Sequence, residues 1–246
     1  MIELDAIGYA IVFIALASGG TLKGATGMGA PVVAIPVMAA FFDVRLAVVL
    51  MVLPNLCTNI LQLWTYRARR PDALAWRFAI AGGIGAGIGT ALLVSVPVRA
   101  LTLTVALAVL AYIGLRLWKA DFRIAEGPAV RAAPVAGLLA GVLQGAAGIS
   151  APIAVSFLNA CKMERPRFIP TVSLFFATMS LVQIPALIVL GYYDAEMLVL
   201  SALALMPLVG FMPLGAWLAR SISPRAFDRL VLAVLAVLAL KLIIWP

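Results

Sequence analysis

The sequence contains no histidine, only two cysteines and few charged residues. Without histidine, the chain lacks the most common metal ligand and the usual general base of enzymes. The two cysteines, Cys57 and Cys161, are too few for a disulfide framework, and we interpret them as unpaired thiols. These absences argue against an enzyme, and we expect the protein to use neither a metal nor a cofactor.

Charged residues make up 11% of the chain, whereas hydrophobic residues make up 65% and the mean hydropathy is +1.14. A typical soluble domain is about 25% charged and about 45–50% apolar. A chain of 246 residues cannot bury this much apolar surface in its own core, so its surroundings are predicted to be the lipid bilayer. The net charge is +8, and most basic residues lie in short loops, as the positive-inside rule predicts. Because this rule accounts for the charge, we expect no nucleic-acid partner.

Eight apolar segments are long enough to cross a membrane, for which a helix needs about 20 residues. Six have the length of one crossing: 46–65, 73–95, 99–117, 168–190, 196–219 and 226–245. The other two, 6–41 and 133–160, are longer. As one helix the first would extend about 54 Å, well beyond a hydrocarbon core of about 30 Å. We therefore expect both long segments to be broken and to fold back as hairpins.

The two long segments share a glycine-rich motif. Gly20–Pro31 has the sequence GTLKGATGMGAP and Gly141–Pro152 has GVLQGAAGISAP, so seven of twelve positions are identical at an offset of 121 residues. The chain is therefore predicted to contain two copies of one unit. Paired segments that glycine and proline interrupt in both halves of a chain are typical of the binding site of a secondary transporter.

The loop charges predict the orientation of the two copies. If each long segment is a hairpin without net crossing, all strong basic clusters fall on the cytoplasmic side: 67–70, 116–131, 162–167 and 220–225. Each copy then crosses three times, so the second enters from the opposite side, as an inverted-topology repeat. The predicted fold is an all-α polytopic membrane protein, each repeat being a Gly/Pro-broken helical hairpin plus three transmembrane helices. Its parts are repeat 1 (1–118), a cytoplasmic linker (119–131) and repeat 2 (132–246).

Lys23 is the one charged residue well inside an apolar segment, whereas all ten acidic residues lie in loops or at segment ends. A charge at membrane depth costs several kcal/mol and normally faces a partner or a watery cavity. Because no carboxylate lies inside a predicted span, the missing counter-ion is an anionic substrate in our interpretation. The alternative is that Lys23 extends to the inner surface. In the second copy, Gln144 is the residue that corresponds to Lys23.

After each glycine-rich break a helix can restart, at Pro31 and at Pro152. Helix N-termini expose free N–H groups and a partial positive charge, which bind anions, and glycine lets the backbone approach a ligand closely. We therefore expect substrate contacts from both breaks: Gly24, Thr26, Gly27 and Gly29 in the first, and Gln144, Gly145, Gly148 and Ser150 in the second, together with Lys23. The alternative is that the glycines only permit tight helix packing.

Asn55, Asn59 and Gln62 share one face of the predicted helix that follows the first hairpin. The second copy has Ser173, Ser180 and Gln183 in the same region, and Gln62 and Gln183 correspond at the offset of 121. We expect Asn59, Gln62 and Gln183 to line a substrate cavity. Their alternative role is hydrogen bonding between helices.

The motif at 24–31, its second copy at 145–152 and the eight apolar segments in two halves resemble the sulfite exporter TauE/SafE family, also called the toluene sulfonate uptake permeases. The resemblance covers essentially the whole chain. It implies a transporter of sulfite, sulfoacetate or other organosulfonates in the bacterial inner membrane. With the orientation that the loop charges predict, both termini are expected in the periplasm. It supplies no set of substrate ligands.

Together these observations predict a secondary transporter that exports a small sulfur-containing anion by alternating access, with its site between the two broken-helix tips. An anion channel and a 5+5 inverted-repeat carrier of another metabolite remain as alternatives. The expected partners are the anionic substrate and the bilayer, and a homodimer is left open.

Overall fold

The computed structural model describes residues 5–27, 29–68, 70–118, 123–221 and 223–244, without the side chains of Arg165, Pro224, Arg225, Phe227 and Asp228. Over these residues the chain forms ten α-helices and no strand, which confirms the predicted all-α class. The helices are α1 Ala6–Thr26, α2 Ala30–Ala39, α3 Val44–Thr65, α4 Ala73–Ser95, α5 Val98–Leu117, α6 Glu126–Ala147, α7 Ala151–Ala160, α8 Arg165–Val189, α9 Ala195–Ser221 and α10 Pro224–Ile244. Met28 of the first motif and residues 119–122 of the expected linker lie outside the described residues.

Among the described helices, seven are long and apolar enough to cross a membrane: α1, α3, α4, α5, α6, α8 and α9. They include five of the six predicted single crossings, and the 21-residue α10 covers the described part of the sixth, up to Ile244. α2 and α7 have only ten residues each, about 15 Å of helix. The chain is therefore a multi-pass membrane protein.

Both long segments are broken at the repeated motif, as predicted. α1 ends at Gly27 and α2 begins after Gly29, with φ angles of +82° and +88°. α6 ends at Gly148, with a φ angle of +71°, before α7. These angles lie in the left-handed region, which glycine adopts without steric cost. Pro31 and Pro152 lie in the first turns of the restarted helices, where a missing N–H is tolerated.

We call the breaks tip 1 (residues 27–29) and tip 2 (residues 148–150). Each short helix folds back along the long helix before it, α2 along α1 and α7 along α6. A side chain at Gly19 of α1 would collide with Ala30 and Ala34 of α2, so these two helices are in close contact. Both segments are thus helical hairpins.

The helices of the two halves correspond at the offset of the motif. α2 and α7 are 121 residues apart at both ends, since Ala30 corresponds to Ala151 and Ala39 to Ala160. The packing corresponds as well. α1 packs along α9, and its counterpart α6 packs along α4, which is the counterpart of α9.

Two arginines mark opposite ends of the helix bundle. At the start of α3, Arg45 donates hydrogen bonds to two backbone carbonyl oxygens at the end of α4. At the start of α8, Arg167 forms ion pairs with Asp72, just before α4, and with Glu126, at the start of α6. We refer to these as the Arg45 end and the Arg167 end.

The core consists of two clusters of buried apolar side chains. The larger surrounds α2 and α3 and includes residues from α5, α9 and α10. The smaller lies among α4, α6, α7 and α8, where the ring of Phe78 stacks on Phe175 with centroids 4.2 Å apart. α3 and α8 lie at the centre of the bundle and carry the polar residues of the candidate site.

Glycine brings several helices into backbone contact. Gly141 of α6 lies against the carbonyl group of Gly82 in α4, and Gly24 of α1 lies against the carbonyl group of Met212 in α9. Helices in lipid associate through such close packing, because apolar side chains gain little by leaving an apolar solvent. These interfaces leave no space for a larger residue.

Replacement of Gly141 by leucine should destabilise the protein by about 1–3 kcal/mol or more, because the new side chain would overlap the backbone of α4. Gly114 of α5 is a matched control, because none of the described residues would contact a side chain added there. Gly114→Ala should stabilise by about 0.5–1 kcal/mol. Unfolding of the purified variants in detergent measures both changes, and equal stability of the two variants would contradict the packing.

Candidate functional site

The centre of the bundle holds the polar face predicted for α3. Asn55 Nδ2 donates to Ser180 Oγ over 3.3 Å, and Ser173 Oγ donates to Gln62 Oε1 over 3.2 Å. Since Asn55 precedes Gln62 whereas Ser180 follows Ser173, α3 and α8 run antiparallel here. The polar residues of the two copies therefore meet across one helix interface.

Lys23 of α1 is buried against this face, with 1% of its surface exposed. Its Nζ donates to Asn59 Oδ1 over 3.0 Å, and Asn59 Nδ2 donates to Asn55 Oδ1 over 2.9 Å. A chain of hydrogen bonds thus runs from Lys23 through both asparagines to Ser180. Within the described part of the protein, Lys23 forms no ion pair, and its ammonium group is directed at an amide rather than at the surface.

Tip 1 is held by a side chain of α3. Gln62 Nε2 donates to the carbonyl oxygen of Gly27 over 2.7 Å. Ile169 of α8 lies beside the same glycine. The hydroxyl group of Thr26, in the last turn of α1, donates to the carbonyl oxygen of Leu22 over 2.8 Å.

Tip 2 has related contacts. The backbone N–H of Ser150 donates to Gln144 Oε1 over 3.1 Å, and Gln183 Nε2 donates to the carbonyl oxygen of Gly145 over 3.5 Å. Gly148 lies beside Val48 of α3. Val48 and Ile169 are themselves 121 residues apart, so the two tips contact counterpart positions. Ser150 is 1% exposed, and its Oγ has no hydrogen-bond partner among the described residues.

A cavity of about 200 Å³ lies beside tip 1, and we call it the tip-1 cavity. Thr26 and Gly29 line it from tip 1, and Ala151 lines it from the start of α7, so the beginnings of both short helices border it. Tyr112 and Arg116 line it from α5. The gap beside tip 2, lined by Gln144, Gln183 and Asn55 among others, measures only about 10 Å³, which is about the space of one water molecule.

Each end of the bundle also carries a surface vestibule. The one at the Arg167 end measures about 750 Å³ and that at the Arg45 end about 360 Å³. Six of the seven residues that line the smaller vestibule have their counterpart, 121 residues away, in the lining of the larger: Phe42/Met163, Asp43/Glu164, Arg45/Pro166, Leu46/Arg167, Val49/Pro170 and Tyr192/Pro71. The vestibules are thus built from equivalent parts of the two halves.

The structure divides the predicted site residues into groups. Lys23 and Asn59 lie in the central chain of hydrogen bonds, and Thr26 and Gly29 border the tip-1 cavity. Gly27, Gln62, Gln144, Gly148 and Ser150 are at or bonded to the tips, and Gln183 is bonded to Gly145 in the last turn of α6. Gly24 and Gly145 lie in helix interfaces, against α9 and α4, where they permit close packing.

Arg116 and Tyr112 line the tip-1 cavity but are not among the residues that the sequence predicts for the site. By sequence, Arg116 belongs to the basic cluster at the end of α5, whereas the structure places it at the tip-1 cavity. A signal was present, because Tyr112 and Arg116 are four residues apart on one helix face. No group of three or more metal-ligating side chains occurs in the described ranges.

Asn59→Leu should destabilise the protein by about 1–3 kcal/mol, because it removes the acceptor of a buried ammonium group. Adding Lys23→Met should restore most of the loss, since replacing both partners of a buried hydrogen bond is close to neutral. Unfolding of both variants in detergent provides the comparison. A double variant no more stable than Asn59→Leu alone would show that the pair is not coupled.

The comparison with family models identifies one match, the family described as "Sulfite exporter TauE/SafE", over residues 11–242. No curated protein and no solved structure matches the chain. The matched range runs from α1 to α10 and includes both tips, the central polar residues and the tip-1 cavity. The chain therefore belongs to the sulfite exporter TauE/SafE family of membrane transport proteins.

Proposed function

We propose that the protein is a secondary transporter that exports a small sulfur-containing anion, such as sulfite, sulfoacetate or another organosulfonate, across the bacterial inner membrane. Its family and its membrane helices assign it to transport and fit a protein that is not an enzyme.

The observation that carries the proposal is the environment of Lys23. The Lys23 side chain is 1% exposed and hydrogen-bonded to an amide, so its charged form would have no counter-ion among the described residues. A small anion that binds nearby would compensate this charge. The N-terminus of α2 adds a partial positive charge to the adjoining tip-1 cavity.

We further propose that the halves are inverted-topology repeats that alternate access to this region. The constant offset between helices, the counterpart contacts of the tips and the paired vestibules support the repeat. The tip-1 cavity of about 200 Å³ and the tip-2 gap of about 10 Å³ then correspond to the open and closed sides of one state. In the other state the tip-2 side would open and the tip-1 side would close.

The Arg167 end is cytoplasmic in this proposal, and both termini lie in the periplasm. Basic residues are concentrated at that end, as the positive-inside rule requires: Arg67, Arg70 and Lys162 in the loops and Arg167 in the first turn of α8. An inside-negative membrane potential favours exit of an anion by about 2.3 kcal/mol per charge per 100 mV. Export therefore needs no side-chain proton relay.

Binding to the purified protein tests the substrate class. Thermal unfolding in detergent should show stabilisation by at least one of sulfite, sulfoacetate, taurine, thiosulfate and sulfate, by about 2.7 kcal/mol at 100 times Kd. Lys23→Gln should abolish it. Lys241→Gln, which removes the same charge above the ring of Phe41 at the Arg45 end, should retain it. Stabilisation by organic cations alone, or an unchanged response in Lys23→Gln, would contradict the proposal.

Cys161, between α7 and α8, reports the orientation. In a Cys57→Ser variant, a membrane-impermeant maleimide should label it in inside-out vesicles and not in right-side-out vesicles. Burial raises the pKa of the Cys161 thiol above its ordinary value of 9.0, and the charge of Arg167 opposes this shift. Because the thiolate is the reactive form, labelling should still accelerate above pH 9.0. Labelling from the outside would reverse the proposed topology.

A further inference from the structure

We infer that the tip-1 cavity binds the anionic group of the substrate at Arg116 and selects, through the rest of its lining, anions that carry an apolar body over inorganic sulfite. This inference rests on the proposed function and concerns its substrate. It assigns the first contact of the substrate to a residue outside the glycine-rich motif.

Arg116 and Tyr112 present one face of α5 to tip 1. They lie four residues apart, in adjacent turns, and both line the cavity opposite Thr26 and Gly29. Arg116 is exposed and lies next to the last residue of α5, so an anion can reach it from the Arg167 end. A guanidinium group donates two parallel hydrogen bonds to a planar or tetrahedral oxyanion, which a buried ammonium group cannot do.

Apolar side chains form most of the remaining lining: Val32, Ala151, Val155, Phe176, Val231 and Leu232. The cavity of about 200 Å³ is some twenty times the tip-2 gap of about 10 Å³, which is about the space of one water molecule. Sulfite has only four heavy atoms, so it would leave most of this apolar surface in contact with water. An organic sulfonate would cover that surface with its carbon atoms.

Burial of each methylene group by this lining should therefore tighten binding about fourfold until the cavity is full. The dissociation constant should then stop falling with chain length. A site made only of charged and polar groups would bind all sulfonates of one charge with similar affinity.

The test uses the full-length purified protein and a series of unbranched alkanesulfonates from methanesulfonate to hexanesulfonate, with sulfite for comparison. Calorimetry gives the dissociation constant of each, and n-alkylammonium ions of the same lengths control for partition into detergent. We expect sulfite to bind most weakly and the affinity to rise about fourfold per methylene over the first members.

Three variants locate the effect. Arg116→Gln should weaken every sulfonate at least tenfold, because it removes charge-assisted hydrogen bonds. Arg99→Gln removes the same charge from the opposite end of α5 and should bind like the wild type. Val231→Phe fills part of the lining and should abolish the gain with chain length while methanesulfonate binds normally. Wild-type behaviour of Arg116→Gln, or equal affinity for sulfite and hexanesulfonate, would overturn the inference.

The outcomes separate this inference from the proposed function. If no sulfur anion binds at all, the proposed function fails together with it. If sulfur anions bind and Lys23→Gln abolishes binding, but chain length and Arg116 have no effect, only this inference fails. Repeating the calorimetry in nanodiscs with and without phosphatidylglycerol tests whether the anionic group that binds Arg116 is a lipid headgroup. Loss of alkanesulfonate binding when that lipid is present would assign Arg116 to a lipid headgroup and overturn the inference.

Discussion

A helix that ends inside a membrane leaves backbone N–H and C=O groups without partners and without water to replace them. The two broken helices of this protein meet that constraint with glutamine side chains. Gln62 donates to the carbonyl oxygen of Gly27, Gln144 accepts from the N–H of Ser150, and Gln183 donates to the carbonyl oxygen of Gly145. Backbone groups at both breaks therefore have side-chain partners, and everything proposed for the site depends on these breaks. Each of these is a single side-chain hydrogen bond, which can break and form again if a tip moves.

Other parts of the bundle are held by direct backbone contact between helices rather than by side-chain hydrogen bonds. α1 and α9, and equally α4 and α6, are in backbone contact through glycines that leave no space for a side chain. Each of these tight pairs contains one helix from each half of the chain. We expect the pairs to move as rigid units, while the tips and the vestibules change around them. The buried ammonium group of Lys23 lies where a tight pair meets the polar face of α3.

Much of this arrangement could be predicted from the sequence, because it follows from patterns along the chain. The duplicated motif located both breaks to within a few residues, and the spacing of Asn55, Asn59 and Gln62 located the polar face of α3. Contacts between distant segments could not be predicted. The motif does not distinguish Gly27, which adopts a left-handed conformation, from Gly24, which lies in a helix interface. By sequence, Arg116 cannot be distinguished from the basic residues of the linker. Its position at the tip-1 cavity results only from the packing of α5 against the short helices.

The central claim is that a small anion crosses through a site to which the two sides have alternate access. Counterflow in proteoliposomes tests it most directly. Vesicles loaded with a high concentration of an unlabelled sulfur anion that the protein binds are diluted into a trace of the same anion labelled with radioactive sulfur. The account predicts transient accumulation of the label above equilibrium. Each unlabelled anion that leaves exposes the site to the label outside, and the unlabelled anion inside competes with the label for exit. Simple equilibration without an overshoot would contradict alternating access and indicate a channel.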